Sequence, residues 1–345
     1  MINLIKAKKL NKGDKVATVS PSWGGAGDED LIWRYEQGKK RLEDVFGLEV
    51  VEMENTLKGT DYLYNHPEKR AEDLMEAFSD KSIKAIFACI GGSESIRLLP
   101  HIDFGIIKDN PKIFMGYSDS TIIHYMCLKA GISSIYGPAL LVDFAENISV
   151  SDYTVDSLKK TLFSTEIIGN IPQSEIWTSE FLPWEIENKD TPRKFKKNNG
   201  YELLQGKAIV QGRLIGGCIE VMEFMKGTEL FPELDKFHNS ILFLETSEGK
   251  SQPYLIEYWL RNYGAMGVLE KINGIIFGKP ADEEYYDKYK NVILKVLAEY
   301  GRRDLPVLYN LSFGHCEPKV CIPYGAMAEI NCEEKTFSIL ESGVV

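Results

Sequence analysis

Residues 112–123 read KIFMGYSDSTII, and the parsing of this stretch decides the architecture. An apolar run, Ile113 to Met115, stops at Gly116. Small polar residues follow (Ser118, Asp119, Ser120, Thr121), and apolar character resumes at Ile122. A strand that turns sharply into a helix is the repeating unit of a parallel α/β sheet. Ser, Asp and Thr are also the residues that favour helix N-termini. The stretch therefore reads equally as a plain helix start or as a turn that presents Ser118 as a nucleophile, and partners elsewhere in the chain must decide.

Working outward, the same alternation recurs through the first half. KVATVS (15–20) is a short strand ending at Pro21, and apolar residues within 30–46 recur at approximately helical spacing up to Gly47. LEVVEM (48–53) is a strand, PEKRAEDLMEAFSD (67–80) a helix opened by proline, and KAIFACI (84–90) a buried strand running into Gly91 and Gly92. A helix is expected from about Asp119 to Ala130. Short apolar strands alternating with helices predict a parallel sheet covered on both faces.

The pattern changes after about residue 165. EIENKDTPRKFKKNNG (185–200) is charged and apolar-poor, which predicts an exposed excursion. Strands are expected at 206–213, 240–245 and 272–277, a long helix at 283–300, and short strands to the end. This half reads as mixed β with a few helices. Two domains are expected, 1–165 and 166–345.

The 345 residues carry 51 acidic against 40 basic side chains, a net charge of −11. Nucleic acid and anionic membranes demand a basic face, so neither is expected as a partner. The six cysteines lack CxxC spacing and read as reduced thiols rather than as a disulfide framework or metal site. The N-terminal stretch lacks a signal-peptide core, and no run approaches the roughly 20 apolar residues that span a bilayer. A cytoplasmic protein acting on a small-molecule or short-peptide substrate, without cofactor or metal, is the expectation.

In an open α/β sheet, ligands gather at the carboxyl ends of strands. Two such ends, ACIGGSES and FMGYSDS, are conspicuous here. A backbone N–H from each would converge on one oxygen, as an oxyanion hole requires, although Gly91–Gly92 also reads as a simple tight turn. Neither GxGxxG nor GxxxxGK[ST] is present. A serine nucleophile needs a base, usually histidine, and the base needs a carboxylate. His66 and His238 read as surface residues, His101 as structural, and His124 as a buried ring with satisfied nitrogens. His315 lies on a loop leaving a strand in LPVLYNLSFGHCEP. Glu245 ends the apolar run ILFL and is costly to bury without a partner, with Glu248 the fallback. The order Ser118, Glu245, His315 is also that of α/β-hydrolases, but Ser120 replaces the second glycine of G-x-S-x-G and the second half does not read as a continuation of the sheet.

Six collinear pieces, SPSWG, IGGSESIRLLPHID, MGYSDST, GRLIGGC, LFLETSEG and FGHCEPKVCIPYG, together resemble the LD-carboxypeptidase family of serine peptidases. The resemblance implies a flavodoxin-like N-terminal domain with a smaller β-rich, swivelling-barrel-like C-terminal domain, and commonly a homodimer. It implies Ser118 as nucleophile, Glu245 as orienting carboxylate and His315 as general base, with oxyanion donors at the backbone N–H groups of Gly92 and Asp119. Ile90-Gly91-Gly92-Ser93-Glu94 looks more like the microcin C immunity branch than the murein-recycling branch, which typically shows R-G-G-Y-G. That branch cuts between an acidic amino acid and a nucleotide-like group, so Gly91, Ser93 and a base-stacking Trp184 become substrate-binding candidates, with Trp177 as competitor. Cys218 stands where many relatives have asparagine. Arg193, Lys194, Lys196 and Lys197 form a local basic run, read mainly as a solvated surface. A murein tetrapeptide is the alternative substrate, and a non-catalytic binding protein the rival from another class.

Overall fold

Runs of consecutive apolar residues make strands buried on both faces, and the first sheet is built from them. In the computed structural model, which describes residues 2–345, β1 (Lys15–Val19), β2 (Glu49–Glu52), β3 (Ile83–Ala88), β4 (Ile113–Gly116) and β5 (Ile135–Tyr136) run parallel. Their order is 2-1-3-4-5, the flavodoxin-like arrangement. The segments between them contain α1 (Ile32–Phe46), α2 (Thr60–Asn65), α3 (Pro67–Ser79), α4 (Phe104–Asp109) and α5 (Thr121–Ala130). Pro67 opens α3, where its missing N–H costs nothing, and Gly47 closes α1 in the left-handed region at φ 69°.

The second half contains α6 (Asp152–Leu162), β6 (Gly169–Asn170), β7 (Ile176–Trp177), β8 (Lys196–Lys197), β9 (Glu202–Gln205) and β10 (Ile209–Cys218). It continues through α7 (Ile219–Met225), β11 (Ser240–Glu245), α8 (Pro253–Ala265), α9 (Val268–Lys271), β12 (Gly274–Gly278) and α10 (Tyr286–Glu299). β13 (Val307–Leu311), β14 (Ile322–Pro323), β15 (Met327–Asn331) and β16 (Thr336–Ile339) complete it. Eight strands form the second sheet in the order β6-β16-β15-β10-β11-β12-β13-β9.

The expected strands at 206–213, 240–245 and 272–277 are present within a residue or a few. Their neighbours differ from expectation: β10, β11, β12 and β13 are mutually parallel, with α7 to α10 between them. This half is thus strand-rich around a second parallel core. The long helix starts at Tyr286 rather than 283, because Asp282, Glu283 and Tyr285 all take positive φ. The excursion at 185–200 is mostly exposed and closes through the β7–β8 ribbon.

The two sheets are joined by strand pairing and by a shared core. β14 pairs antiparallel with β5, so residues 322–323 form the edge of the first sheet. Tyr136, Phe243 and Tyr324 pack in sequence across the junction, the first pair tilted and the second edge-to-face, with ring centroids 5.6 and 5.0 Å apart. All three are essentially buried, and burial of a side chain of this size stabilises by about 1.5–3 kcal/mol. That packing sets the carboxyl ends of β4 and β11 and the loop after β13 against one another.

Candidate active site

Ser118 does not cap a helix. Its φ is +60°, in the left-handed region that costs a side-chain-bearing residue about 1–3 kcal/mol. β4 ends at Gly116, Tyr117 is extended, and Ser118 turns the chain into a short 3-10 turn that leads into α5. The hydroxyl is therefore pushed out at the top of the sheet. Gly91 makes room for it: a Cβ at residue 91 would meet the Ser118 side chain at 2.9 Å.

His315 meets this hydroxyl from the second half of the chain. Its Nε2 lies 3.0 Å from Ser118 Oγ, and its Nδ1 lies 2.7 Å from Glu245 Oε2. Glu245, at the end of β11, is fully buried. Gly314 permits its approach, since a Cβ there would fall 2.5 Å from Glu245 Oε2. The other carboxylate oxygen, Oε1, accepts the Tyr136 hydroxyl, and that hydroxyl accepts the Ser118 backbone N–H at 3.1 Å. Burial opposes charge on His315, but Glu245 and then Glu248 outweigh it and push the imidazole up to about 10. Glu248, the fallback carboxylate, lies with Oε2 2.9 Å from Nε2. Its hydrogen bond to His315 brings it down to about 2.

The pocket around Ser118 has a volume of about 540 Å³ and is lined by Gly91, Gly92, Trp184 and Lys250 among others. Gly92 takes φ +139°, and a Cβ there would strike Ser22 Oγ at 2.5 Å. Ser93 is exposed and lies outside this lining. Asp119 is buried, its Oδ2 accepting from Ser22 Oγ at 2.6 Å and from the Ser95 N–H at 2.8 Å, so only its backbone is available to a ligand.

The two tryptophans separate cleanly. Trp177 is 2% exposed, packed under Lys279, whereas Trp184 lines the pocket. The Arg34 guanidinium lies 4.6 Å from the centre of the Trp184 ring, and Trp23 stacks on it at 6.3 Å. Arg193 differs from its expected surface role. It is pulled inward between Glu146 and Glu317, and Glu317 in turn pairs with the buried Lys319 at 2.6 Å. The sequence carries no periodicity that marks such a cluster. Cys218 is buried, with Sγ 3.1 Å from Glu220 Oε2. All six cysteines are unpaired.

His124 is the satisfied core ring expected of it, with Nδ1 2.8 Å from Ser134 Oγ and Nε2 2.9 Å from the Gly116 carbonyl. His66 pairs with Glu68, and His101 and His238 are exposed. Tyr136 is the functional candidate that sequence reasoning missed. The available signal was positional: Tyr136 pairs with Gly116, so it ends the strand beside the one that delivers Ser118. Among the described residues no cluster suited to a metal ion occurs, and no helix is long and apolar enough to cross a membrane.

The chain is similar to known proteins over most of its length. The description LD-carboxypeptidase N-terminal domain matches residues 16–137, and LD-carboxypeptidase C-terminal domain matches residues 211–330. The microcin C7 self-immunity protein MccF of Escherichia coli is 32% identical over 86% of this chain and 85% of its own length. A solved structure of MccF in complex with aspartyl sulfamoyl adenosine superposes with a TM-score of 0.85 at 28% identity, covering 99% of this chain and all of the other (100%). A probable murein peptide carboxypeptidase of Bacillus subtilis is 30% identical over 98% of this chain and 95% of its own. An MccF-like protein from Streptococcus pneumoniae, solved in complex with AMP, superposes with a TM-score of 0.87 at 33% identity, covering 95% and 98% of the two chains.

Proposed function

The chain belongs to the LD-carboxypeptidase family, and from that premise we propose that it is a serine hydrolase that cuts an acidic amino acid from a nucleotide-like group through an acyl-enzyme. The observation that carries this reading is the line from Ser118 Oγ to His315 Nε2 to Glu245, with separations of 3.0 and 2.7 Å. The proton of Ser118 passes to Nε2 as Oγ bonds to the substrate carbonyl carbon. The carbonyl electron pair moves onto oxygen, which accepts from the N–H groups of Gly92 and Asp119. Collapse breaks the bond to the leaving nitrogen, which takes the proton held on Nε2. Water then gives a proton to Nε2 as it attacks the acyl carbon, the Oγ–carbon bond breaks, and Ser118 recovers its proton. Glu245 keeps Nδ1–H pointed at itself, so Nε2 faces Ser118 throughout.

The substrate class is argued from the pocket. Trp184 offers a flat aromatic surface in the lining of the cavity, fit to stack on a base. The relatives solved with AMP and with aspartyl sulfamoyl adenosine support a nucleotide-bearing ligand. The test pairs aspartyl sulfamoyl adenosine with an LD-linked murein tetrapeptide. Release of aspartate from the former, abolished in Ser118→Ala, is the expected result. Turnover of the tetrapeptide alone reverses the choice of substrate, and no turnover of either overturns the reading.

A further inference from the structure

The reaction above uses the backbone N–H of Asp119 and gives its carboxylate no role. That carboxylate is fully buried, where a charge without partners is costly. Both of its hydrogen bonds go to one oxygen. Oδ2 accepts the Ser22 hydroxyl at 2.6 Å and the Ser95 N–H at 2.8 Å. The Ser22 oxygen in turn accepts the Glu94 N–H at 3.1 Å. Ser22 is also held by Arg70, itself buried, whose guanidinium donates to the Ser22 carbonyl at 3.0 Å. A buried cation and a buried anion thus bind the same serine, one at its carbonyl and one at its hydroxyl.

These residues come from three loops. Ser22 follows β1, Glu94 and Ser95 follow β3, and Asp119 follows β4, and the three strands are neighbours in the first sheet. The last two loops also carry the N–H groups assigned to the oxyanion, those of Gly92 and Asp119. The β3–β4 ladder ends at Phe87 and Met115, short of both donors. Past that point, among the described residues, the hydrogen bonds that join the two loops run to Asp119 Oδ2, directly from Ser95 and by way of Ser22 from Glu94. The approach is close. A Cβ at residue 91 would lie 3.2 Å from the Asp119 nitrogen, and one at residue 92 would lie 2.5 Å from Ser22 Oγ. Two donors aimed at one oxygen tolerate little error, since a displacement of about 1 Å can cost about 10²-fold in rate.

Resting on the hydrolase reading above, we propose that the Asp119 carboxylate is the positioning group of the oxyanion hole: by accepting from Ser22 and Ser95 it fixes the separation of the Gly92 and Asp119 N–H groups. It adds no covalent step and touches neither substrate nor reacting atoms. Its effect falls on the tetrahedral stage, when the carbonyl oxygen has become an anion, and not on binding of the ground state.

Two details of the arrangement fit that role. Arg70 supplies a balancing charge, so that a carboxylate on the donor residue does not oppose the anion that its own N–H binds. And because Oδ2 takes both bonds while Oδ1 is buried without a partner, an amide oxygen in the same place can take both as well. The acceptor is what positions the loops, and the charge strengthens the two bonds.

The experiment measures kcat and KM per folded molecule in the wild type, Asp119→Ala, Asp119→Asn and Ser22→Ala. The substrate is aspartyl sulfamoyl adenosine, or the murein tetrapeptide if that is the compound turned over. Inhibition by a boronic acid analogue of the substrate's acyl group is measured alongside, since boron becomes a tetrahedral anion on Ser118 Oγ. Asp119→Ala is expected to lower kcat about 10²–10³-fold, the worth of one oxyanion donor, with KM little changed and the boronate weakened by a similar factor. Ser22→Ala, which leaves the Ser95 bond, is expected to lower kcat about tenfold in the same pattern. Asp119→Asn is expected to lose only about 3–10-fold, the difference between charge-assisted and neutral hydrogen bonds. A packing role gives another pattern: fewer folded molecules or a raised KM, with kcat per folded molecule and boronate affinity as in the wild type. That pattern, or an Asp119→Asn as impaired as Asp119→Ala, overturns the inference and leaves the hydrolase reading intact. If Asp119→Ala does not fold, Ser22→Ala decides by the same readouts. Turnover of neither compound by the wild type overturns the hydrolase reading, and this inference with it.

Discussion

Two imidazoles are linked through Tyr136, one in ring contact and one by way of Glu245, and they are driven in opposite directions. His124, in α5, is pushed down to about 3 by burial, against which its hydrogen bond to Gly116 has little effect. His315 is slightly more open, its side chain 7% exposed where it lines the pocket, yet it is pushed up to about 10 because carboxylates face both ring nitrogens. The His124 ring has neutral oxygens at both nitrogens, one from Ser134 and one from the Gly116 carbonyl. Burial alone therefore does not make a histidine chemically useful. The charge of what the ring touches decides whether it is a structural peg or a base.

The sharpest way to break the contrast is to give His315 a neutral partner like those of His124. Glu245→Gln keeps the shape of a fully buried side chain and removes its charge. The amide can also present an N–H to Nδ1 and turn the ring into the wrong tautomer. A loss of about 10²–10⁴-fold in kcat is expected, with KM little changed. Activity within threefold of wild type would show that the carboxylate is not what distinguishes this ring.

Tyr136 supplies the next test, since it is the physical link between the two surroundings. Its ring lies 5.6 Å from that of His124, while its hydroxyl donates to Glu245 and accepts from the Ser118 N–H. Tyr136→Phe removes both bonds and leaves the packing. We expect kcat to fall about 10–100-fold, the worth of hydrogen bonds to a charged group. The acid limb of the pH profile should move upward, because Glu245 without its donor holds the imidazolium more strongly. An unchanged profile would make Tyr136 a packing residue only.

How much of this was legible beforehand depends on the kind of signal. The first sheet could be read because KVATV, IKAIFA and IFMG are apolar runs punctuated by Pro21, Gly91 and Gly116. The parallel core of the second half was harder, because β10 to β13 are separated by long and irregular segments, with α8 carrying apolar side chains on both faces. Ser118, Glu245 and His315 stood out as polar residues at the ends of apolar runs, where an unpartnered group is costly. Tyr136 did not, since a tyrosine in a strand is unremarkable until its neighbour strand is known. Nor did the pairing of Arg193 with Glu146 and Glu317, which brings together three distant segments of chain. The positive φ of Ser118 is a property of the assembled turn, and no residue type announces it.

The smallest effect concerns His124 and is read in stability rather than in turnover. An unfolded histidine titrates near about 6.5. His124 is held far lower in the folded protein, so its contribution is fully present above about 6.5 and is lost as the pH falls toward about 3. His315 in the free protein is held higher, so its contribution is present below about 6.5 and is lost as the pH rises toward about 10. The two rings therefore tilt the stability curve in opposite senses, one on each side of neutrality. His124→Gln is expected to cost about 1–3 kcal/mol at pH 7 through the bonds to Ser134 and Gly116. It should also flatten the acid side between about pH 6 and 4, where the wild type loses about 2–3 kcal/mol to protonation of the unfolded ring. Denaturant unfolding at several pH values reads both effects, and turnover per folded molecule should stay within about twofold. An acid side as steep as in wild type would mean that His124 is not the ring that resists protonation, and the contrast with His315 would then rest on the carboxylates alone.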